Sequence, residues 1–248
     1  MIKKVLKKII PPRIQQKLGQ AKMFRIGNNF KNMTNAYVFD KIYNKGTWGK
    51  NIDGISTSGI GSHTKEIIHP YITQISNFLL EKKPSIIVDL GCGDFNIGSN
   101  FVSFTDKYIA CDVSNVILSR NRDKFSSLTN VEFKLLDLSK DYLPKGDICF
   151  VRQVLQHLSN ADIKTFVENL NSNKPYKYLV VTEHLPNSDD FDANLDIETG
   201  PDIRLIVDSG VVLHKAPFNL DVSNISELLE VVEGIEGGGR VKTTMYEF

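Results

Sequence analysis

The chain has 248 residues, with 30 Lys and Arg against 29 Asp and Glu, 41% hydrophobic residues and 9% aromatics. This balance excludes disorder and fibrous repeats, and the length fits one large domain with a short appendage. The net charge of +1 conceals a polarity, because residues 1–39 hold nine basic residues and no acid, leaving −8 on residues 40–248. An acidic body is a poor footprint for a nucleic-acid surface, so no nucleic-acid partner is expected.

At the start of the chain Ile2, Val5, Leu6, Ile9 and Ile10 repeat at helical spacing, with Lys3, Lys4, Lys7 and Lys8 on the other face. Pro11 and Pro12 end this basic amphipathic helix, and Ile14, Leu18 and Ala21 line one side of a second. Two readings stand for residues 1–25: peripheral docking on anionic lipid at the inner membrane, or packing on the chain's own domain. The lysines interrupt any secretory apolar core, and no stretch reaches the roughly 18 apolar residues of a spanning helix. Cys92, Cys111 and Cys149 are odd in number and show neither a disulfide framework nor zinc spacing. A cytoplasmic protein without a metal site is expected.

Residues 1–64 are read as a basic helical extension with a lid segment, and residues 65–248 as the main domain. From residue 65 to 184, amphipathic runs alternate with short β-rich runs, the pattern of an α/β, doubly wound, mostly parallel sheet. Helices are predicted over 65–80 and 160–170, the latter capped by Ser159 or Asn160. Strands are predicted over 85–90, 108–111, 131–135, 147–150 and 178–182. Near the end, 223–229 reads as a helix, and 229–235 and 241–248 as an antiparallel hairpin turning at Gly237–Gly239.

The first strand runs into GCGDFNIG, residues 91–98, where Gly91 and Gly93 allow a tight turn and close approach of a ligand. A dinucleotide loop would want glycine at position 96, which is Asn96, and the acids Asp89 and Asp94 repel pyrophosphate while tolerating a cation. This argues against a nicotinamide oxidoreductase. Asp112 ends the second strand, 21 residues beyond Gly91, where a carboxylate accepts from ribose hydroxyls; Asp137, after the third, is placed for an adenine amino group.

Through VDLGCGD (88–94), IACD (109–112), KLLD (134–137) and DICFVRQVLQHLS (147–159), the chain resembles the class I S-adenosylmethionine-dependent methyltransferases over about residues 65–248. The resemblance implies a seven-stranded Rossmann-like sheet of order 3-2-1-4-5-7-6 and S-adenosylmethionine as cofactor. It places Asp89, Gly91, Gly93 and Asp94 around the methionine portion, Asp112 on the ribose, Asp137 and Leu138 on the adenine, and Arg152 and Gln153 along the floor. Trp48, Ser58 and Gly59, within W-G-x8-S-G-x-G-S, look like a lid over the methionine.

His157, four residues after Gln153 and so on one face if that stretch is helical, is the first candidate for a base. Glu183 and His184 end the fifth strand, one facing the pocket and the other the core. Acceptor selectivity is expected in the long connection 185–222, with Asp196 and Arg204 as acceptor contacts. No Asp/Asn-Pro-Pro-Tyr signature of base-amino methylation follows the fourth strand. A looser resemblance, through the Lys-rich head and Asn194, Asp196, Ile197, Gly200 and Arg204, is to bacterial surface-polysaccharide methyltransferases. It implies O-methyl transfer to a sugar or a phosphate-type substituent of capsule or lipopolysaccharide precursors. The alternatives are another small-molecule or lipid methyltransferase, or a non-catalytic module that binds S-adenosylmethionine.

Overall fold

In the computed structural model, residues 30–232 and 238–248 are described. The two N-terminal helices and their lipid-docking reading lie outside them, as do Gly237 of the predicted turn and residues 233–235 of the strand predicted before it. Among the described residues no helix is long and apolar enough to cross a membrane.

The predicted apolar runs form β1 (Ile86–Leu90), β2 (Lys107–Asp112), β3 (Val131–Leu135), β4 (Ile148–Arg152) and β5 (Tyr178–Leu185), followed by β6 (Asn224–Val231) and β7 (Arg240–Glu247). They make one sheet in the order β3-β2-β1-β4-β5-β7-β6. β1 to β5 are parallel, and β7 runs antiparallel to both β5 and β6. The central strands β1, β2, β4 and β5 are buried almost throughout, whereas edge strand β3 is largely exposed. Parallel strands covered on both faces read as continuous apolar runs, which is why these were legible.

The two faces are covered by different elements. α1 (Asn35–Lys45) and α4 (Asn160–Asn173) pack with Val88, Leu90, Leu179 and Val181 on one side, while α2 (Lys65–Lys82) packs with Ile87, Phe150 and Val180 on the other. α3 (Asn115–Lys124) follows β2 and is capped by Ser114, whose Oγ accepts from the Ile117 amide. α1 belongs to the same core as the main domain through Val38, Phe39 and Ile42. Thr34 opens it by accepting from the Tyr37 amide, and Gly46 closes it in the left-handed conformation at φ 65°.

Residues 223–229 are not a helix; they begin β6, which pairs with β7 from Asn224. A bulge between Glu227 and Leu229 breaks the two-residue alternation, and both Leu228 and Leu229 pack toward the core. With Ile225 this gives apolar residues at i, i+3 and i+4, the spacing of a helix produced by a bulged strand.

The 185–222 connection is built, although its only regular element is a 3-10 turn at Arg204–Val207. Asn194 ties it together, its Nδ2 donating to the Val212 and Ala216 carbonyls and its Oδ1 accepting from the Val212 amide. Val211, Leu213, Phe218 and Leu220 cover the same core face as α4.

Candidate active site

The chain runs outward from β1 to β3 and then returns to place β4 beside β1, opening a crevice at the carboxyl ends of these strands where ligands of such sheets bind. A cleft of about 1030 Å³, counted to its open mouth, occupies that crevice. It is lined by Asp89, Gly91, Gly93, Asp94, Asp112, Asp137, Leu138, Arg152 and Gln153, with Trp48 and Ser58 above. The structure thus brings together every sequence-predicted cofactor residue except Gly59, which lines the adjoining cavity.

The glycine loop is held by the next strand. Asp112 accepts from the Gly93 amide at 3.0 Å through Oδ2 and from the Ser114 amide at 2.9 Å through Oδ1. Gly93 has φ 55°, and a Cβ there would stand 2.3 Å from Ser58 Oγ, so loop and lid close on each other only because the side chain is missing. Burial pushes the Asp112 carboxyl up to about 6, with those amides opposing, and pushes Asp89 up to about 7 despite a hydrogen bond from the Tyr108 hydroxyl at 3.0 Å. Burial also raises Asp94, but the His63 ring at 2.7 Å and the Ser58 amide at 2.9 Å outweigh it and hold that carboxyl below its ordinary value. Asp137 accepts from the Ser139 amide and hydroxyl and from Asn35 Nδ2 of α1.

Residues 56–63 are strapped over the glycine loop. Ser58 Oγ accepts from the Asp94 amide, Asn96 Nδ2 donates to the Ser62 carbonyl, and Arg152 Nη2 donates to the Gly61 carbonyl at 2.7 Å. Trp48 donates through Nε1 to the Pro201 carbonyl and lies against His157 with ring centroids 4.8 Å apart.

A second cavity, about 860 Å³ counted to its open mouth, adjoins the first, and Trp48, Ser58, Gln153 and His157 line both. Its other walls are Gly59, Ile60, Gly61, Ile67, Gln156, His184, Pro201, Asp202, Ile203, Ile206 and Val241. His157 is not one helical turn after Gln153. Gln153 is left-handed at φ 54°, with its amide bound to the Thr182 carbonyl, and Leu155–His157 is a 3-10 turn. The His157 Nδ1 faces the Asp202 carbonyl at 3.2 Å and so carries the hydrogen, while Nε2 accepts from Gln156 Nε2 at 3.3 Å. Burial depresses His157 to about 4. His184 lines the second cavity, its Nε2 facing the Gly238 carbonyl at 2.9 Å, and burial lowers it as well.

Glu183, from the same strand end, lines neither cavity. It is 3% exposed, neither carboxylate oxygen has a hydrogen-bond partner, and burial pushes it up to about 8, the Arg204 charge opposing only in part.

Arg204 and Asp196, expected as acceptor contacts, are placed away from these two cavities. Arg204 is 1% exposed and donates to the Leu195, Leu155 and Leu158 carbonyls and to Asn160 Oδ1, cross-linking the 195–204 segment to the turn before α4. Asp196 spends Oδ1 on the Asn160 and Ile197 amides at the start of α4. Neither lines either of the two cavities; both hold the 195–204 segment against the start of α4. Sequence reasoning missed Asn35, Tyr43, His63 and Tyr71. Asn35 and Tyr43 sat in an apolar stripe with Val38, Phe39 and Ile42, between a Thr34 cap and Gly46, and Tyr71 lies on the apolar stripe of the predicted helix over 65–80 as a core residue; His63 had no local signal.

No protein-family model matches the chain, and no curated protein matches its sequence. Solved structures do. The N-methyltransferase NodS from Bradyrhizobium japonicum WM9, in complex with S-adenosylhomocysteine, superposes with a TM-score of 0.56 at 11% identity, over 84% of this chain and 99% of that one. The chain has the Rossmann-like methyltransferase fold. The methyltransferase domain of bacterial CtHen1-CN matches at a TM-score of 0.51 and 14% identity, over 72% of this chain and 97% of that one. The N-terminal domain of EvdMO1, in the presence of S-adenosylhomocysteine and D-fucose, matches at 0.50 and 13%, over 84% and 95%.

Proposed function

We propose that the chain is an S-adenosylmethionine-dependent methyltransferase acting on a small molecule, with a sugar hydroxyl as the acceptor group. The observation that carries this reading is the pair of adjoining cavities at the switch point, one walled by the glycine loop and carboxylates, the other by aliphatic side chains and two imidazoles. The first fits the cofactor by its chemistry. Asp89 and Asp94 match a ligand carrying an amine and a sulfonium, Arg152 matches a carboxylate, and left-handed glycines leave the floor free of side chains. The S-adenosylhomocysteine held by NodS supports the same assignment.

S-Adenosylmethionine, when bound, supplies a methyl group already activated by its sulfonium. The chain's own residues then position the acceptor for in-line attack and exclude water. Trp48, Ser58, Gln153 and His157, common to both cavities, form the boundary across which acceptor and methyl group meet. The His157 lone pair is engaged by Gln156 and its basicity is depressed, so His157 acts as a wall that orients the acceptor. His184 uses Nε2 on Gly238, which leaves Nδ1 as the lone-pair nitrogen to take a hydroxyl proton.

Among the described residues lining the acceptor cavity there is no Lys or Arg, which favours a sugar hydroxyl over a phosphate-type acceptor. Assignment to surface-polysaccharide assembly rests on sequence resemblance alone, and three residues that carry it, Asn194, Asp196 and Arg204, are scaffold. D-Fucose with EvdMO1 supports a sugar-sized acceptor.

Calorimetric titration with S-adenosylhomocysteine, with NADH in parallel, tests the cofactor. Micromolar binding of the former that is lost in Asp112→Ala is the expected result. Binding of NADH instead, or unchanged affinity in Asp112→Ala, refutes the site.

A further inference from the structure

We infer that the acceptor cavity selects a sugar carrying a methyl group where common hexoses carry a hydroxymethyl, and that Ile203 and Ile60 set this preference. The inference rests on the methyltransferase reading above and deepens it to a substrate class. The walls of the cavity are sorted by polarity. The residues it shares with the cofactor cleft, Trp48, Ser58, Gln153 and His157, all carry a polar side-chain atom, whereas Ile60, Ile67, Ile203, Ile206 and Val241 line the acceptor cavity alone. A hydroxyl that meets the methyl group at the boundary therefore leaves the remainder of the acceptor against aliphatic side chains. Val241 lies opposite His184 in the antiparallel pairing of β5 with β7, so imidazole and aliphatic wall share one face of the sheet. Glutamines and imidazoles serve ring hydroxyls, and the acceptor that fits is amphipathic rather than apolar throughout.

The aliphatic side chains are not equally committed to the protein. Ile67 and Val241 are 2% and 4% exposed and pack with Val231, while Ile206 packs against Ile197 and Val207. Ile203 is partly buried yet joins no apolar cluster among the described residues, and Ile60, in the lid, is 50% exposed. Both turn apolar surface to the cavity that a ligand can cover. Ile203 is also held still. It is extended at φ −117° and ψ 160° between two anchored neighbours, since the Asp202 carbonyl accepts from His157 Nδ1 and Arg204 is fixed by its bonds to Leu155, Leu158, Leu195 and Asn160. A methyl group set against these side chains gains by leaving water, whereas a hydroxyl there gives up its water partners for carbon.

The test offers methyl glycosides of glucose, galactose and mannose, each mixed with the deoxy counterpart that has a methyl group for the hydroxymethyl, to the full chain with methyl-labelled S-adenosylmethionine. Product ratios give relative kcat/KM, and calorimetry with S-adenosylhomocysteine runs in parallel. We expect the deoxy member of the pair that fits to be preferred by roughly 10- to 100-fold, about what an apolar pocket achieves against an added hydroxyl. Ile203→Thr keeps the branched shape and adds a hydroxyl, and should cut that ratio by roughly 10-fold through a raised KM for the deoxysugar. Ile60→Thr should act in the same direction, and it carries the test if Ile203→Thr does not fold. Equal turnover within every pair, preference for the hydroxymethyl sugars, or no transfer to any of these glycosides by a protein that binds S-adenosylhomocysteine would overturn the substrate class while leaving the methyltransferase reading standing. A wild-type preference that both variants leave unchanged would overturn the role of Ile203 and Ile60. Failure of folded wild type to bind S-adenosylhomocysteine would overturn both readings.

Discussion

Replacing Arg204 separates a structural role from a substrate contact. Arg204→Met keeps much of the side-chain volume and deletes four hydrogen bonds, to the carbonyls of Leu155, Leu158 and Leu195 and to Asn160 Oδ1. An orphaned buried polar group costs about 1–3 kcal/mol, so four acceptors set an upper bound of about 12 kcal/mol, which water entry and local relaxation reduce. Hydrogen bonds from a charged donor contribute about 1.5–3 kcal/mol each, so with relaxation and water entry a net loss of about 3–5 kcal/mol is expected here. Glu183 adds little to it, because a carboxyl pushed up to about 8 is mostly protonated at neutral pH and does not become an unpaired charge. Against a typical domain stability of about 5–15 kcal/mol the effect is large. Urea unfolding followed by circular dichroism at pH 7 measures it as a lower midpoint at constant slope. A loss under about 1 kcal/mol, together with a raised acceptor KM, would refute this reasoning and return Arg204 to the acceptor site.

Ligand affinity should rise with pH, because burial raises Asp89 to about 7 and Asp112 to about 6 while a cationic ligand selects their ionised forms; calorimetry in buffers of different ionisation enthalpy should show proton release, and flat affinity from pH 5.5 to 8 would contradict it. Glu183 has a folded-state pKa above its unfolded value of 4.5, so the native chain holds the extra proton and stability falls as pH rises through about 8. Between pH 7 and 9 the loss should be roughly 1 kcal/mol, absent in Glu183→Gln, by urea midpoints. His184→Ala should lower kcat by about 10²-fold or more with cofactor affinity unchanged, and His157→Gln by less; the reverse order would make His157 the base.

The cofactor half of the site was legible because its signals are local. Gly91, Gly93, Asp112 and Asp137 each stand at a strand tip, and a buried parallel strand announces its tip by where the apolar run ends. The acceptor half was not, because its geometry is set by contacts across the chain. Arg204 reads as a free guanidinium in an acidic loop until Leu155, Leu158, Leu195 and Asn160 are seen to surround it. Periodicity failed at 223–229 for a definable reason, since one extra residue in a bulge gives a strand the spacing of a helix. Glu183 and His184 show what alternation can fix: strand geometry put them on opposite faces, and only the packing of the 185–222 segment decided which face was the cavity.

The two imidazoles bear on how the chemistry divides. His157 sits on the boundary between the cavities, where a base would be best placed, yet burial depresses it to about 4 and Gln156 holds its lone pair. His184 lies farther back, with one nitrogen tied to Gly238. On the proposed reading, His184 would remove the proton and His157 would align the acceptor. An acceptor must then be long enough to present its nucleophile beside Trp48 and His157 while its proton is within reach of His184, directly or through its own neighbouring hydroxyl. A sugar ring meets that requirement with adjacent hydroxyls, and a single-hydroxyl alcohol does not. Vicinal diols should therefore turn over faster than their monodeoxy analogues, the difference appearing in kcat and vanishing in His184→Ala. Equal kcat for the two in wild type would place the proton acceptor elsewhere.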